Sequence, residues 1–86
     1  MDVAYKPSFL RQFKKLPIPL QEEVFEKIEM FKNITNHPKL KVHKLHGDLK
    51  NYFSFSVNYR HRIVFIWEIQ NKSAVLFAIS DHAVYS

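Results

Sequence analysis

No cysteine occurs in these 86 residues, and glycine occurs once, at Gly47. The first absence excludes disulfides and a cysteine nucleophile, and it is compatible with a reducing cytoplasm. The second excludes the glycine-rich loops that cradle nucleotide phosphates and the G-x-S-x-G elbow of serine hydrolases. No apolar run is long enough to span a bilayer. The opening MDVAYKPSFLRQFKK lacks the continuous apolar stretch of a secretory leader, so a cytoplasmic protein is expected. A chain of 86 residues has room for one core, and residues 1–86 are read as a single domain.

Aromatic residues are plentiful. Eight phenylalanines, four tyrosines and a tryptophan give a small core much area per side chain. Charge is plentiful too and unevenly placed. Glu22, Glu23, Glu26 and Glu29 hold half of the 8 acids within one short segment. From Lys39 to Arg62 the balance reverses: Lys39, Lys41, Lys44, Lys50, Arg60 and Arg62 face only Asp48, with His43, His46 and His61 among them. With a net charge of +5, this asymmetry suggests a basic face suited to a polyanion such as nucleic acid. A solvated charged surface has the same composition, so composition leaves both readings open.

Hydrophobic spacing organises the chain. DVAYK alternates as a short strand. Pro7 and Ser8 then suit a helix start, Phe9, Leu10, Phe13 and Leu16 recur at helical spacing, and Pro17 stops the run. A second helix begins near Pro19, with Leu20, Val24, Ile28 and Phe31 as its stripe, widened by Phe25 and Ile34. NITNHPK ends it. YFSFSVN, RHRIVFIWEI and SAVLFAISDH then read as three strands in a meander. Phe53, Phe55 and Val57 share one face and Ser54 and Ser56 the other; parity places Val75, Phe77 and Ile79 inward and Ala74, Ala78, Ser80 and His82 outward. The expected architecture is α+β: strand, helix, helix and three strands, with two helices packed on one face of an antiparallel sheet. The opposite face would carry a shallow trough of small residues, with Arg62 and His82 at its margin.

Several residues here carry chemistry. The imidazole of His82, at the end of the last strand, can give and take a proton near neutral pH. Arg62, just before IVFIW, offers a planar fork of donors to phosphate oxygens; a strand-edge ion pair is the other role that suits it. His43 and His46 form an H-x-x-H pair without companion ligands, so a metal site is not expected, and a general base is the more productive role for His43. Lys41, Lys44 and Lys50 can track a phosphate backbone, and Tyr85 can stack on a base or anchor the tail.

The order of these elements, together with LHGDLKNYFSFSVNYRHRIVF and the closing ISDHAVYS, resembles the RelE/ParE superfamily of toxins from type II toxin–antitoxin systems. The likeness spans nearly the whole chain. It implies two helices on an antiparallel sheet, a cognate antitoxin as partner, and one of two activities. RelE-like members are metal-independent endoribonucleases that cut mRNA, usually on the ribosome, and need no small-molecule cofactor. ParE-like members instead inhibit DNA gyrase. A relative that binds nucleic acid without cutting it is a further alternative. Arg62 matches the arginine that RelE-like and YoeB-like toxins place before their apolar strand. His82 matches the terminal histidine of YoeB-like and YafQ-like toxins, and His43 falls where YafQ-like toxins hold a catalytic histidine. The chain departs from the pattern at Ser54 and Ser56, where relatives carry basic residues or histidine, and Arg62 stands where YafQ-like members have an aromatic. The resemblance therefore implies a mixed catalytic set of His43, Arg62 and His82, and the chemistry of Lys41, Lys44, Lys50, Arg60 and Tyr85 makes them the expected RNA-binding groups beside it.

Overall fold

The computed structural model of the chain describes residues 1–49, 51–68, 70 and 72–81. Among these, the elements run β1 (Asp2–Tyr5), α1 (Pro7–Lys14), α2 (Ile18–Phe31), β2 (His43–Lys44), β3 (Phe53–Ser56), β4 (His61–Glu68) and β5 (Ser73–Asp81). The α+β class and the order of elements are as expected, and β2 is an addition. The sheet order is β1-β5-β4-β3-β2. Strands β2 to β5 pair antiparallel, but β1 lies parallel to β5, so the sheet is mixed rather than wholly antiparallel. Parallel neighbours cannot be joined by a hairpin and need a crossover, and here the whole intervening chain supplies it.

Prolines delimit both helices. Lys6 is extended (φ −77°, ψ 150°), as a residue before proline should be, and Pro7 occupies the first turn of α1. At the other end, Lys15 and Leu16 turn their N–H groups back to Gln12 and Phe13 before Pro17. The Gln21 amide donates to the Phe13 and Leu16 carbonyls at 3.1 Å each, which satisfies groups the helix end leaves open.

The core lies between the helices and one sheet face. Val24, Ile28 and Phe31 form the buried stripe of α2. Phe25 and Ile34 do not widen it; they stay 61% and 65% exposed. Phe25 is one residue on from Val24 and so lies roughly 100° round the helix. Ile34 falls in the separate 3-10 turn Ile34–Asn36, beyond the helical period. Phe31 is the hub: it stacks on Phe55 at 4.2 Å between centroids, meets Phe65 edge-on at 4.8 Å and takes the His37 ring at 4.8 Å.

One irregularity reorganises the last strand. Val64 pairs with Ala78 but Phe65 pairs with Leu76, so Phe77 is an extra residue in β5. Parity placed Val75 and Phe77 inward; instead Ala74 and Leu76 join the core, followed by Ile79. The inserted residue shifts the side-chain phase by one, which turns every earlier position to the other face. After the bulge the phase is the expected one, and Ala78 and Ser80 point away from the helices.

Candidate functional site

The face of the sheet turned away from the helices carries the candidate site. Its rows follow from register, because directly paired residues point to the same side. One row is Ser56, Arg62 and Ser80, on β3, β4 and β5. The next is His43, Ser54, Val64 and Ala78, on β2 to β5. Their neighbours in sequence, Phe55, Ile63 and Ile79, are buried in the core on the opposite side. With strands ~4.8 Å apart and a rise of ~3.3 Å per residue, the Cα atoms of His43 and Arg62 are roughly 12 Å apart on one face. That separation leaves room for a phosphodiester between an imidazole and a guanidinium.

Arg62 lies in a hollow of about 360 Å³ that it lines with Lys41, Ser56, Asn58 and Tyr59. Asn58 builds the far rim. Its Oδ1 accepts the N–H groups of Arg60 (2.8 Å) and His61 (2.7 Å), while its Nδ2 donates to Glu23 at 2.6 Å. This side-chain-held turn projects Tyr59 into solvent at 94% exposure. The sequence reading missed Tyr59. The available signal was a large aromatic inside the polar turn NYRH, between strands, where no core is within reach.

Lys41 and His43 are held together from the opposite edge. Lys41 closes a turn in which Val42 N–H bonds to the His37 carbonyl and Lys41 N–H to the Pro38 carbonyl. This is a Schellman arrangement, whose left-handed position usually takes glycine. Here it takes Lys41, at φ 56°, while the chain's single glycine stands elsewhere, at Gly47. A lysine in that conformation costs about 1 kcal/mol relative to glycine. The turn presents the Lys41 carbonyl to His43 Nδ1 at 2.7 Å. A carbonyl can only accept, so Nδ1 carries the hydrogen, and the neutral ring keeps its lone pair on Nε2. His43 itself is exposed.

Other expected residues are placed differently. Lys44 pairs with Phe53, which packs on the core, so Lys44 belongs to the opposite side of the sheet from His43. Arg60 Nε donates to Asp81 Oδ2 at 2.7 Å, and this hydrogen bond, with the carboxylate's charge, raises the guanidinium pKa. Ser54 is fully buried, and its Oγ has no hydrogen-bond partner among the described residues, so the trough is not open at that point. His82, Lys50 and Tyr85 lie outside the described residues.

No family model matches the sequence, and no curated protein matches it. Solved structures do. The chain is similar to the RelBE2 toxin–antitoxin complex of Mycobacterium tuberculosis at 17% identity, covering 93% of this chain and 95% of that one, with a TM-score of 0.72. It is similar to the archaeal RelE–RelB complex of Pyrococcus horikoshii at 13% identity, over 93% and 92%, with a TM-score of 0.72. A YoeB–YefM complex from Staphylococcus aureus gives 15% identity, 93% and 94% coverage and a TM-score of 0.71. The fold is that of the RelE/YoeB/ParE toxins, as the sequence resemblance implied.

Proposed function

We propose that the chain is the toxin of a type II toxin–antitoxin pair and a metal-independent endoribonuclease acting on mRNA, with the ribosome positioning the substrate. The observation that carries this reading is the shared face of Arg62, Ser56, Ser80, Lys41 and His43, turned away from the core. A half-buried guanidinium on that face, with Lys41 and an imidazole on the same side, suits a phosphodiester. The similarity to toxin–antitoxin complexes supports a cognate antitoxin as partner.

RNA brings its own nucleophile. His43 Nε2 takes the proton of a 2′-OH, whose oxygen attacks the adjacent phosphorus. Arg62 stabilises the charge that gathers on the non-bridging oxygens. The bond to the 5′-oxygen breaks, and His82 donates a proton to that leaving group. The products are a 2′,3′-cyclic phosphate and a 5′-hydroxyl. Lys41 holds a neighbouring phosphate, and Tyr59 offers a face for a base. Lys50 and Tyr85 are further RNA contacts in this reading.

The test is induced expression of wild type, Arg62→Ala and His82→Ala in a bacterial host, followed by mapping of mRNA 5′ ends. New 5′-hydroxyl ends with wild type that vanish in both variants support the reading. Equal cleavage in all three would overturn the site. Intact mRNA with arrested supercoiling would turn the reading to a ParE-like inhibitor of gyrase.

A further inference from the structure

The bulge in β5 does more than shift register. It brings Phe77 out of the core phase and onto the same outer face as Arg62. There the ring meets Tyr52 edge-on at 5.3 Å between centroids, and Lys6 Nζ stands 5.5 Å from its centre. A phenylalanine left half-buried forgoes part of the roughly 1.5–3 kcal/mol that full burial would contribute. The bulge also leaves part of the β5 ladder unmade.

On the other edge of β5, Lys6 and helix α1 supply the hydrogen bonds that β1 does not reach. Lys6 N–H bonds to the Leu76 carbonyl, and the Ser8 hydroxyl donates to the Phe77 carbonyl at 2.9 Å. The Gln12 amide pairs with Ile79 in both directions, accepting its N–H at 2.8 Å and donating to its carbonyl at 3.2 Å. Gln12 thus stands in for one residue of a further strand and covers an edge that β1 does not reach. This docking has a consequence for charge. Ser8, Arg11, Gln12 and Lys15 follow one another at helical spacing on one face of α1. Seating Ser8 and Gln12 on β5 therefore brings Arg11 and Lys15 alongside Phe77. The four side chains, with Phe77 and Ala78, line a hollow of about 320 Å³. Arg11 and Lys15 have no ion-pair partner among the described residues. Like charges four apart on a helix repel by roughly 0.2–0.5 kcal/mol, which a bound anion would relieve.

An accessible ring beside unpaired cations is the combination that holds single-stranded nucleic acid, the ring by stacking a base and the cations by holding phosphates. Ala78 pairs with Val64, two residues along β4 from Arg62, so the Cα atoms of Ala78 and Arg62, one lining each hollow, are roughly 8 Å apart. We propose that Phe77, Arg11 and Lys15 form a second RNA subsite on the outer face, which stacks one base and holds the flanking phosphates of the strand whose scissile phosphate lies at Arg62. The proposal rests on the ribonuclease reading above and extends it to a substrate grip at the other edge of the sheet.

The experiment measures binding of a fluorescent, uncleavable 2′-O-methyl RNA oligonucleotide by anisotropy across a salt series. The proteins are wild type, Phe77→Leu, Phe77→Trp and the Arg11→Gln/Lys15→Gln double variant, each checked by thermal melting. Phe77→Leu keeps an apolar cover over the strands and removes the ring; it is expected to weaken binding by about 5-fold or more, with Phe77→Trp holding wild-type affinity. The double variant is expected to flatten the slope of log affinity against log salt by about 1.4, as for two phosphate contacts on a single strand. Wild-type affinity in Phe77→Leu, or a wild-type slope in the double variant, overturns the subsite. So does a result in which these variants bind RNA normally but lose an acidic protein partner. Because Arg62→Ala is run in parallel, the outcomes separate. If wild type binds RNA and Arg62→Ala weakens it while the α1 and Phe77 variants do not, only the subsite fails. If wild type does not bind the free RNA, the subsite is overturned, while the ribonuclease reading is decided separately by the mapped mRNA ends.

Discussion

The two faces of this sheet are made by the same three strands and obey different rules. The inner face is an aromatic mosaic of Phe53, Phe55, Phe65 and Trp67 around Phe31, where rings stack, tilt or meet edge-on at 4.2 to 6.2 Å. The outer face of the same strands carries Ser54, Ser56, Arg62, Val64, Ala78 and Ser80. The inner face is constrained by volume, since close-packed rings leave no room for change. The outer face is constrained by charge and direction. It also carries two local departures, a serine hydroxyl with no hydrogen-bond partner among the described residues and a bulge that sends a phenylalanine outward, whereas left-handed lysines occur both at its edge, at Lys41, and away from it, at Lys72. Departures of this kind concentrate where a surface has a job besides stability.

Substitutions that separate the two faces test this contrast most directly. Phe31→Ala should have the largest effect on stability, about 3–5 kcal/mol, because it removes the ring that joins α2 to β3 and β4. Urea denaturation would register it, and in a domain this small the loss is comparable with the whole stability. A modest shift in midpoint would mean that the inner face is less interlocked than its geometry suggests.

On the outer face the largest change should be in rate. His43→Ala is expected to slow RNA cleavage by about 10²–10⁴ while the melting temperature hardly moves. Lys44→Ala, one residue on and turned to the other side, should change the rate far less. Equal effects from both would dissolve the distinction between faces that the pairing of β2 with β3 sets up.

Lys41→Gly should move stability and binding in opposite directions. Relief of the left-handed lysine should stabilise the fold by about 1 kcal/mol. Loss of one phosphate contact should lower RNA affinity and flatten its salt slope by about 0.7. Destabilisation would show that the turn holds Lys41 by contacts more favourable than the backbone cost. The smallest expected effect is that of Ser54→Ala. Removing a buried hydroxyl without a partner among the described residues should be neutral or stabilising by up to about 1 kcal/mol, read as an unchanged or raised melting temperature.

Much of the architecture was legible because it rests on local rules. The prolines at 7, 17 and 19 mark helix boundaries through their fixed φ and missing N–H. The alternation in YFSFSVN places Phe55 inside and Ser56 outside without reference to any other segment. Arg62 could be assigned to the outer face by counting from Ile63 alone. Phe25 and Ile34 were misplaced by local geometry, the first by its angle round the helix and the second by the 3-10 turn that follows it; the other errors arose where a position depends on a distant partner. Ala74 and Val75 exchange faces because the bulge is set by how β5 meets β4 and α1. His43 acquires a direction only by pairing with Ser54, and its tautomer only from the Lys41 carbonyl. Arg60, an expected RNA contact, is turned to Asp81 at the far end of the chain. Arg11, Lys15 and Phe77 carried no signal of a shared site, since they meet only once Gln12 has docked on Ile79.

Sequence alone determined the two helices and the four longer strands, their order, and the basic character of the stretch from Lys39 to Arg62, because periodicity, proline stereochemistry and charge are properties of neighbours along the chain. Tertiary structure decided the parallel placement of β1, the reversal of phase in β5, and which cations share the outer face with Arg62. Those depend on where backbone hydrogen bonds are satisfied across the sheet, and a one-residue difference in that accounting sends a side chain to the other side of the protein.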